Sequence, residues 1–228
     1  MAPSGLLICM PPIEPKIKRA VAFFDGQNLY RHAKEAFGHT HPNYHPENLF
    51  KLLCKQEGWD CLEVRFYTGT PSASKNPMWH GYWANRLLSM KRSGIKVFSR
   101  EIKYHSNVVT LDTGPTGIVE TSLEKGIDIR IALDVVRCAV DNCADVIVIF
   151  SQDQDLSEVV NEVKHISQKQ NRWIRVISAY PTGPRASTNR GINGAQWLSI
   201  DQTTYDSCLD PRDYRPSLPT PAVVKKRA

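Results

Sequence analysis

The run Asp145-Val-Ile-Val-Ile-Phe150 constrains this chain more than any other segment. A strand that is apolar at nearly every position has no face to give to water, so it belongs in a sheet covered by helices on both sides. The neighbouring segments supply such helices. Ile127–Asn142 repeats Ile127, Ile131, Val135 and Cys138 on a helical period, and Asp155–Ser167 reads as the helix after the strand. Upstream, the β-prone run Ala20–Phe24 leads into helical Asn28–Phe37. After the polar loop His39–Pro46, a helix opened by Pro46 runs to about Gln56 with Leu49, Leu52 and Leu53 on one face. Leu62–Tyr67 alternates as a strand closed by Thr68-Gly69, and Pro77–Arg92 forms a helix striped by Trp79, Trp83, Leu87 and Met90. Ile95–Tyr104 reads as a strand, Val108–Val119 as a hairpin around Thr113-Gly114-Pro115, and Ile174–Ser178 as the last clear strand. Strands alternating with helices predict a three-layer α/β sandwich with a mainly parallel central sheet.

At 228 residues the chain has ample length for one large domain, placed at residues 19–210 between an N-terminal extension, 1–18, and a basic, proline-rich C-terminal tail, 211–228. The net charge of +6 sits in the two ends, where Lys16, Lys18 and Arg19 face only Glu14, and Arg212, Arg215, Lys225, Lys226 and Arg227 face only Asp213. The body between them is balanced, so a polyanionic partner has to be argued from local groups. No apolar run approaches the ~18–20 residues of a membrane span, and Gly5–Met10 lacks a basic lead-in, so the expectation is a cytoplasmic protein without a membrane partner. Six cysteines, at 10, 54, 61, 138, 143 and 208, form no Cys-x-x-Cys pair and read as reduced thiols. Neither a P-loop, a Gly-x-Gly-x-x-Gly nor a Gly-x-Ser-x-Gly elbow occurs, which removes the phosphate cradle of ATPases and dinucleotide enzymes and the nucleophile turn of serine hydrolases.

Two strands end in acid: Phe24-Asp25-Gly26-Gln27-Asn28, and Phe150-Ser151-Gln152-Asp153-Gln154-Asp155. In open parallel sheets ligands bind at this carboxyl edge. Asp128 opens the helix after Lys125-Gly126-Ile127, where the positive end of the helix dipole favours a carboxylate. Carboxylates brought close together repel one another unless a cation intervenes, and an oxygen-rich group of this kind suits Mg²⁺ or Mn²⁺. Such a metal activates water and neutralises charge at a phosphodiester. Taken singly, each acid serves as well for a turn or a helix cap, Asp155 before Leu156-Ser157-Glu158 above all. Asp134, with Arg130 four residues before it and Arg137 three after, is explained equally by a helix-surface ion pair.

Taken together, Phe24-Asp25-Gly26-Gln27-Asn28, Lys125-Gly126-Ile127-Asp128 with Asp134 six later, and Ser151-Gln152-Asp153-Gln154-Asp155-Leu156 resemble the NYN domain family, a LabA-related branch of the PIN-like nucleases, over roughly residues 19–201. The resemblance implies a PIN-like, Rossmannoid sandwich and a divalent-metal-dependent endoribonuclease; the expected partner is RNA, single-stranded in the first instance. By the same resemblance Asp25, Asp128, Asp153 and Asp155 are the catalytic and metal-holding acids for Mg²⁺ or Mn²⁺, and Asn28 and Ser151, with Asp134 of the second motif, are supporting residues. Lys125 either meets a phosphate beside the metal or is a solvated lysine at the helix start. Gln152 stands where the family usually has glycine, and Leu156 where it has an aromatic. The alternative is a catalytically weak or inactive RNA-binding or protein-interaction module of the same fold. Hydrolysis of a small phosphorylated molecule is a third option, and a homo-oligomer or a protein partner stays open.

Other clusters have two readings each. Arg86, Lys91, Arg92, Lys96, Arg100 and Lys103 form either an RNA-binding stretch or a solvated face, and Trp79, Tyr82 and Trp83 are either base-stacking or core residues, Tyr82 alone lying off the core stripe. His39, His41 and His45 read as an exposed loop before a zinc site. Gly183–Asn193, with Arg185, Asn189 and Arg190, is a phosphate-facing loop or a plain connection.

Overall fold

A computed structural model describes residues 12–110, 116–123 and 126–216. Its centre is a six-stranded sheet of β1 (Lys18–Asp25), β2 (Trp59–Thr70), β3 (Lys96–Glu101), β6 (Val146–Phe150), β7 (Arg175–Pro181) and β8 (Gln196–Ile200). The strands lie in the order β3-β2-β1-β6-β7-β8, and every pairing is parallel. Successive strands step outward from β1 in one direction as far as β3. They step outward from β6 in the other direction as far as β8. The order therefore reverses between β1 and β6, which opens a crevice at the carboxyl edge.

The sheet is covered on both faces because its central strands are apolar on both. Ala20, Ala22 and Phe24 of β1 and Val146, Val148 and Phe150 of β6 point into one core. That core is closed by α1 (Gly26–Phe37), α2 (Pro46–Glu57) and α3 (Pro77–Arg92), through Leu29, Leu49, Leu53, Trp83 and Leu87. Val21, Phe23, Ile147 and Ile149 point the other way, onto Ile131, Val135, Val160 and Val163 of α4 (Ile127–Val140) and α5 (Ser157–Lys169). The three-layer sandwich and its parallel sheet are as the sequence predicts. Trp59 opens β2 beside Lys18, so β1 and β2 run together from their first residues.

The differences are local. β2 runs on through Thr68-Gly69 to Thr70, because Thr68–Thr70 pair with Ser99–Glu101 of β3. The strand expected over 95–104 breaks at Ile102, whose amide donates to the Thr70 carbonyl (2.8 Å). The chain then starts an antiparallel pair, β4 (Lys103–Thr110) with β5 (Thr116–Leu123). This is the expected hairpin, and its turn around Thr113-Gly114-Pro115 lies outside the described residues. The helix expected from Asp155 begins with a 3-10 turn, Gln154–Leu156. β8 and the five-residue α6 (Gln202–Asp206) go beyond the expected elements. β8 is an edge strand with three exposed positions out of five, so its sequence carries no clean alternation. Tyr82, expected off the core stripe, is buried; its hydroxyl donates to the Pro42 carbonyl (2.9 Å) and receives Arg86 Nη1 (2.6 Å). Pro211–Pro216 forms no helix or strand but lies along α3, where Asn85 Nδ2 donates to the Tyr214 carbonyl (3.1 Å) and Arg212 Nη1 to Ser89 Oγ (2.8 Å).

Candidate active site at the carboxyl edge of the sheet

β1 ends at Asp25, and the chain turns at once into α1. The turn is tight enough to need glycine, since a Cβ on Gly26 would lie 2.6 Å from Phe66 Cζ and 3.0 Å from the Tyr67 carbonyl oxygen. Asp25 caps α1, accepting from the Asn28 amide (3.0 Å). Next to it β6 ends at Phe150, and Ser151-Gln152-Asp153 form the turn into the 3-10 helix. Two hydrogen bonds tie the turns together. Asn28 Oδ1 accepts from the Gln152 amide (3.0 Å), and Ser151 Oγ donates to Asp25 Oδ2 (3.4 Å) while accepting from the Asp153 amide (3.1 Å). Ser178 Oγ of β7 donates to the Ser151 carbonyl (2.7 Å), which fixes the turn from its far side. Asn28 and Ser151 thus hold the acidic strand ends in register.

Asp25, Asp153 and Asp128 line one cleft of about 740 Å³. Asp128 reaches it from the first turn of α4, and Gly126 precedes that helix in the left-handed conformation (φ 78°), where glycine alone carries no Cβ penalty. Asp25 is 8 % exposed, and burial, with the repulsion of Asp153 behind it, pushes its carboxyl up to about 6 against the hydrogen bonds from Asn28 and Ser151. No Lys or Arg forms an ion pair with Asp25, Asp128 or Asp153 among the described residues. Among those residues, too, no three His, Cys, Asp or Glu side chains stand close enough together to hold a metal ion.

The remaining expected site residues lie elsewhere. Asp155 is exposed and outside the cleft lining, and it is not a cap: that work falls to Asp153, whose Oδ1 accepts from the Asp155 amide (3.1 Å). Asp134 is buried away from the cleft, receiving the Tyr67 hydroxyl (2.9 Å) and Arg130 Nε (2.9 Å). Lys125 lies outside the described residues.

Gln152 and Leu156 fit without crowding. Leu156 is 2 % exposed in the second core. The Gln152 side chain turns away from the cleft and donates to the carbonyl oxygens of Arg190 (2.7 Å) and Thr188 (3.5 Å). Gln154 Nε2 donates to Gly191 O (3.1 Å) and its Oε1 accepts from the Asn193 amide (3.1 Å). The 183–193 segment is therefore anchored to the acidic turn, and none of its residues lines the cleft.

None of the six residues of the basic stretch lines the cleft. Arg86 is buried against Tyr44 and Tyr82, and Lys96 is taken by Glu63 (2.5 Å). His39 pairs with Asp206 (2.8 Å) and His45 caps α2, so the histidine loop has structural work. The cations in the cleft are Arg31 and Lys34, which the sequence reading passed over. Their signal was present: Leu29, Ala33 and Ala36 mark the buried face of α1, which leaves Gln27, Tyr30, Arg31 and Lys34 together on another.

The profile of the NYN domain family matches residues 19–191. A protein of unknown function from Vibrio parahaemolyticus is similar in structure at 21 % identity, covering 83 % of this chain and 98 % of its own, with a TM-score of 0.48. MurG of Acinetobacter baumannii is similar at 12 % identity over 80 % of this chain and 45 % of its own, with a TM-score of 0.31. No curated protein sequence matches.

Proposed function

The chain belongs to the NYN domain family, a family of nuclease-like fold, and on that premise we propose that it is a divalent-metal-dependent endoribonuclease. The observation that carries this reading is the convergence of Asp25, Asp128 and Asp153 on one cleft at the point where the sheet order reverses. The donor chemistry suits a hard cation. The neighbouring Asp153 raises the cost of ionising Asp25, with no cation paired to it among the described residues, and Mg²⁺ characteristically takes one or two carboxylates and keeps several waters. Asp25, Asp153 and Asp128 would hold Mg²⁺ or Mn²⁺, with Asp155 at the rim. When bound, the ion supplies an activated water and charge neutralisation at the phosphodiester. Asn28 and Ser151 keep the two acids in place, Ser151 Oγ by donating a hydrogen bond to Asp25 Oδ2. Lys125 would offer a phosphate a positive charge, whereas Asp134, tied to Tyr67 and Arg130, supports the fold.

The described cysteines are all free and no described helix is long and apolar enough to cross a membrane, which supports a place in the reducing cytoplasm. A second reading, a non-cleaving RNA-binding or protein-interaction module, is favoured by one observation: no three metal-binding side chains are already gathered among the described residues. The test is cleavage of an end-labelled, unstructured RNA with Mn²⁺ or Mg²⁺, by wild type and Asp153→Asn, with an EDTA control. Products from the wild type plus metal alone are expected. Equal cleavage by Asp153→Asn, or binding by both proteins without cleavage, overturns the enzyme reading.

A further inference from the structure

The cleft continues well beyond its acids. One wall is the face of α1 that carries Gln27, Tyr30, Arg31 and Lys34; the other includes Pro42, Asn76 and Trp79. Arg31 and Lys34 are exposed and form no ion pair or side-chain hydrogen bond among the described residues. Two uncommitted cations in a concave surface call for an anionic ligand. They stand about 4.5 Å apart along the helix axis and roughly one and a half to two and a half turns beyond Asp25, on the side leading away from the acids. Trp79 is half-buried, with the edge of its ring system held by Tyr82 (centroids 5.0 Å apart at 74°), and it lends ring surface to the cleft. Tyr30 is fixed by its hydroxyl bond to the Thr40 carbonyl (2.7 Å).

We infer that this part of the cleft is a track for a single polynucleotide strand, with phosphates on Arg31 and Lys34 of one wall and a base stacked on Trp79 of the other. It rests on the reading of the acidic end as the cutting site, and adds where the uncut part of the strand lies. From Gln27 to Lys34 the helix rises about 10 Å. At ~3.4 Å per stacked nucleotide, that accommodates about three nucleotides to one side of the cut. A single strand is specified because a base inside a duplex stack has no free face for an aromatic ring.

The experiment is anisotropy of a dye-labelled eight-nucleotide uridine RNA, and of its deoxy counterpart, over a salt series in EDTA, where binding is read without turnover. The double variant Arg31→Gln/Lys34→Gln is expected to lower the slope of log affinity against log salt by about 1.4, the share of two single-strand phosphates. The exposed Arg137→Gln on α4 leaves the slope unchanged. Trp79→Leu weakens binding about fivefold or more at constant slope, and Trp79→Phe, which keeps a ring against Tyr82, restores most of it. An unaltered slope in the double variant, wild-type affinity in Trp79→Leu, equal affinity for the matching duplex or no binding at all overturns the track. The parallel cleavage assay separates the two readings. Metal-dependent cleavage with an unaltered slope refutes the track and leaves the nuclease. Binding with these dependences but no cleavage refutes the nuclease and leaves the track.

Discussion

The strand pair β1–β6 is flanked by acid at each of its ends, by Asp145 at one and by Asp25 and Asp153 at the other, and the two ends are built on opposite principles. At the amino end Asp145 is held by Arg19, whose backbone amide (2.9 Å), Nε (3.1 Å) and Nη2 (2.9 Å) all donate to it. Those hydrogen bonds and the guanidinium charge overcome the effect of burial and hold the Asp145 carboxyl below its usual range. At the carboxyl end, the buried Asp25 faces Asp153 with no cation paired among the described residues, and its carboxyl is pushed up to about 6. The same pair of strands thus ends in a satisfied ion pair on one side and an unsatisfied acidic pair on the other. The first arrangement stabilises the fold, whereas the second costs stability, as sites prepared for a ligand do.

Removing charge at each end should have opposite consequences. Asp153→Asn and Asp25→Asn are expected to lower cleavage by about a hundredfold or more, on the scale of lost electrostatic stabilisation of a transition state. Asp25→Asn should nevertheless melt no lower than wild type, because the amide oxygen can still accept from Asn28 and the buried charge is gone. A marked fall in its melting temperature would break the comparison. The pH dependence of stability sharpens it. The folded protein takes up the Asp25 proton near pH 6, before the unfolded chain does at its ordinary 3.8. Stability should therefore rise by up to about 3 kcal/mol as pH falls through this window. Asp145 acts with the opposite sign: its contribution is present above the ordinary carboxylate range and disappears in stronger acid. Urea midpoints from pH 8 to 3 measure both arms, and Asp25→Asn should flatten the first.

At the other end Asp145→Ala is expected to cost about 2 kcal/mol, the worth of hydrogen bonds to a charged group. For a chain of this size that is a drop of roughly 4–8 °C in Tm. Cleavage per folded molecule should be unchanged. The smallest effect is that of Gln152→Ala, about 1 kcal/mol for its bonds to the 188–190 backbone, partly offset because Gln152 Oε1 is buried without a partner. Thermal melts check both.

Much of this was legible in the residues. The continuous apolar run of β6 and the helical stripes around it specify a covered parallel sheet, and acids after two strands specify its carboxyl edge. What escaped did so for physical reasons. β8 lies at the sheet edge, where burial no longer imposes alternation on its sequence. Arg86 looks like surface charge in a basic stretch, yet its guanidinium is satisfied by the Tyr44 carbonyl and the Tyr82 hydroxyl, partners far away in sequence. Asp155 and Asp153 sit two residues apart in the same turn, and the 3-10 geometry there turns one toward the cleft and leaves the other outside it. Gln152 is a departure from the family pattern whose purpose shows only once the 188–190 backbone is brought beside it. Arg31 and Lys34 lay on a helix face whose importance depends on what stands opposite.

The placement of β1 beside β6 also sets a timetable. Asp25 and Ser151 are separated by 126 residues, and at ~5–20 residues per second a ribosome needs roughly 6–25 s to pass from one to the other. Throughout that interval β1, β2 and β3 exist without the strand that completes the crevice. A nascent chain with the nuclease activity proposed above would therefore be unarmed beside its own messenger until β6 has emerged and paired.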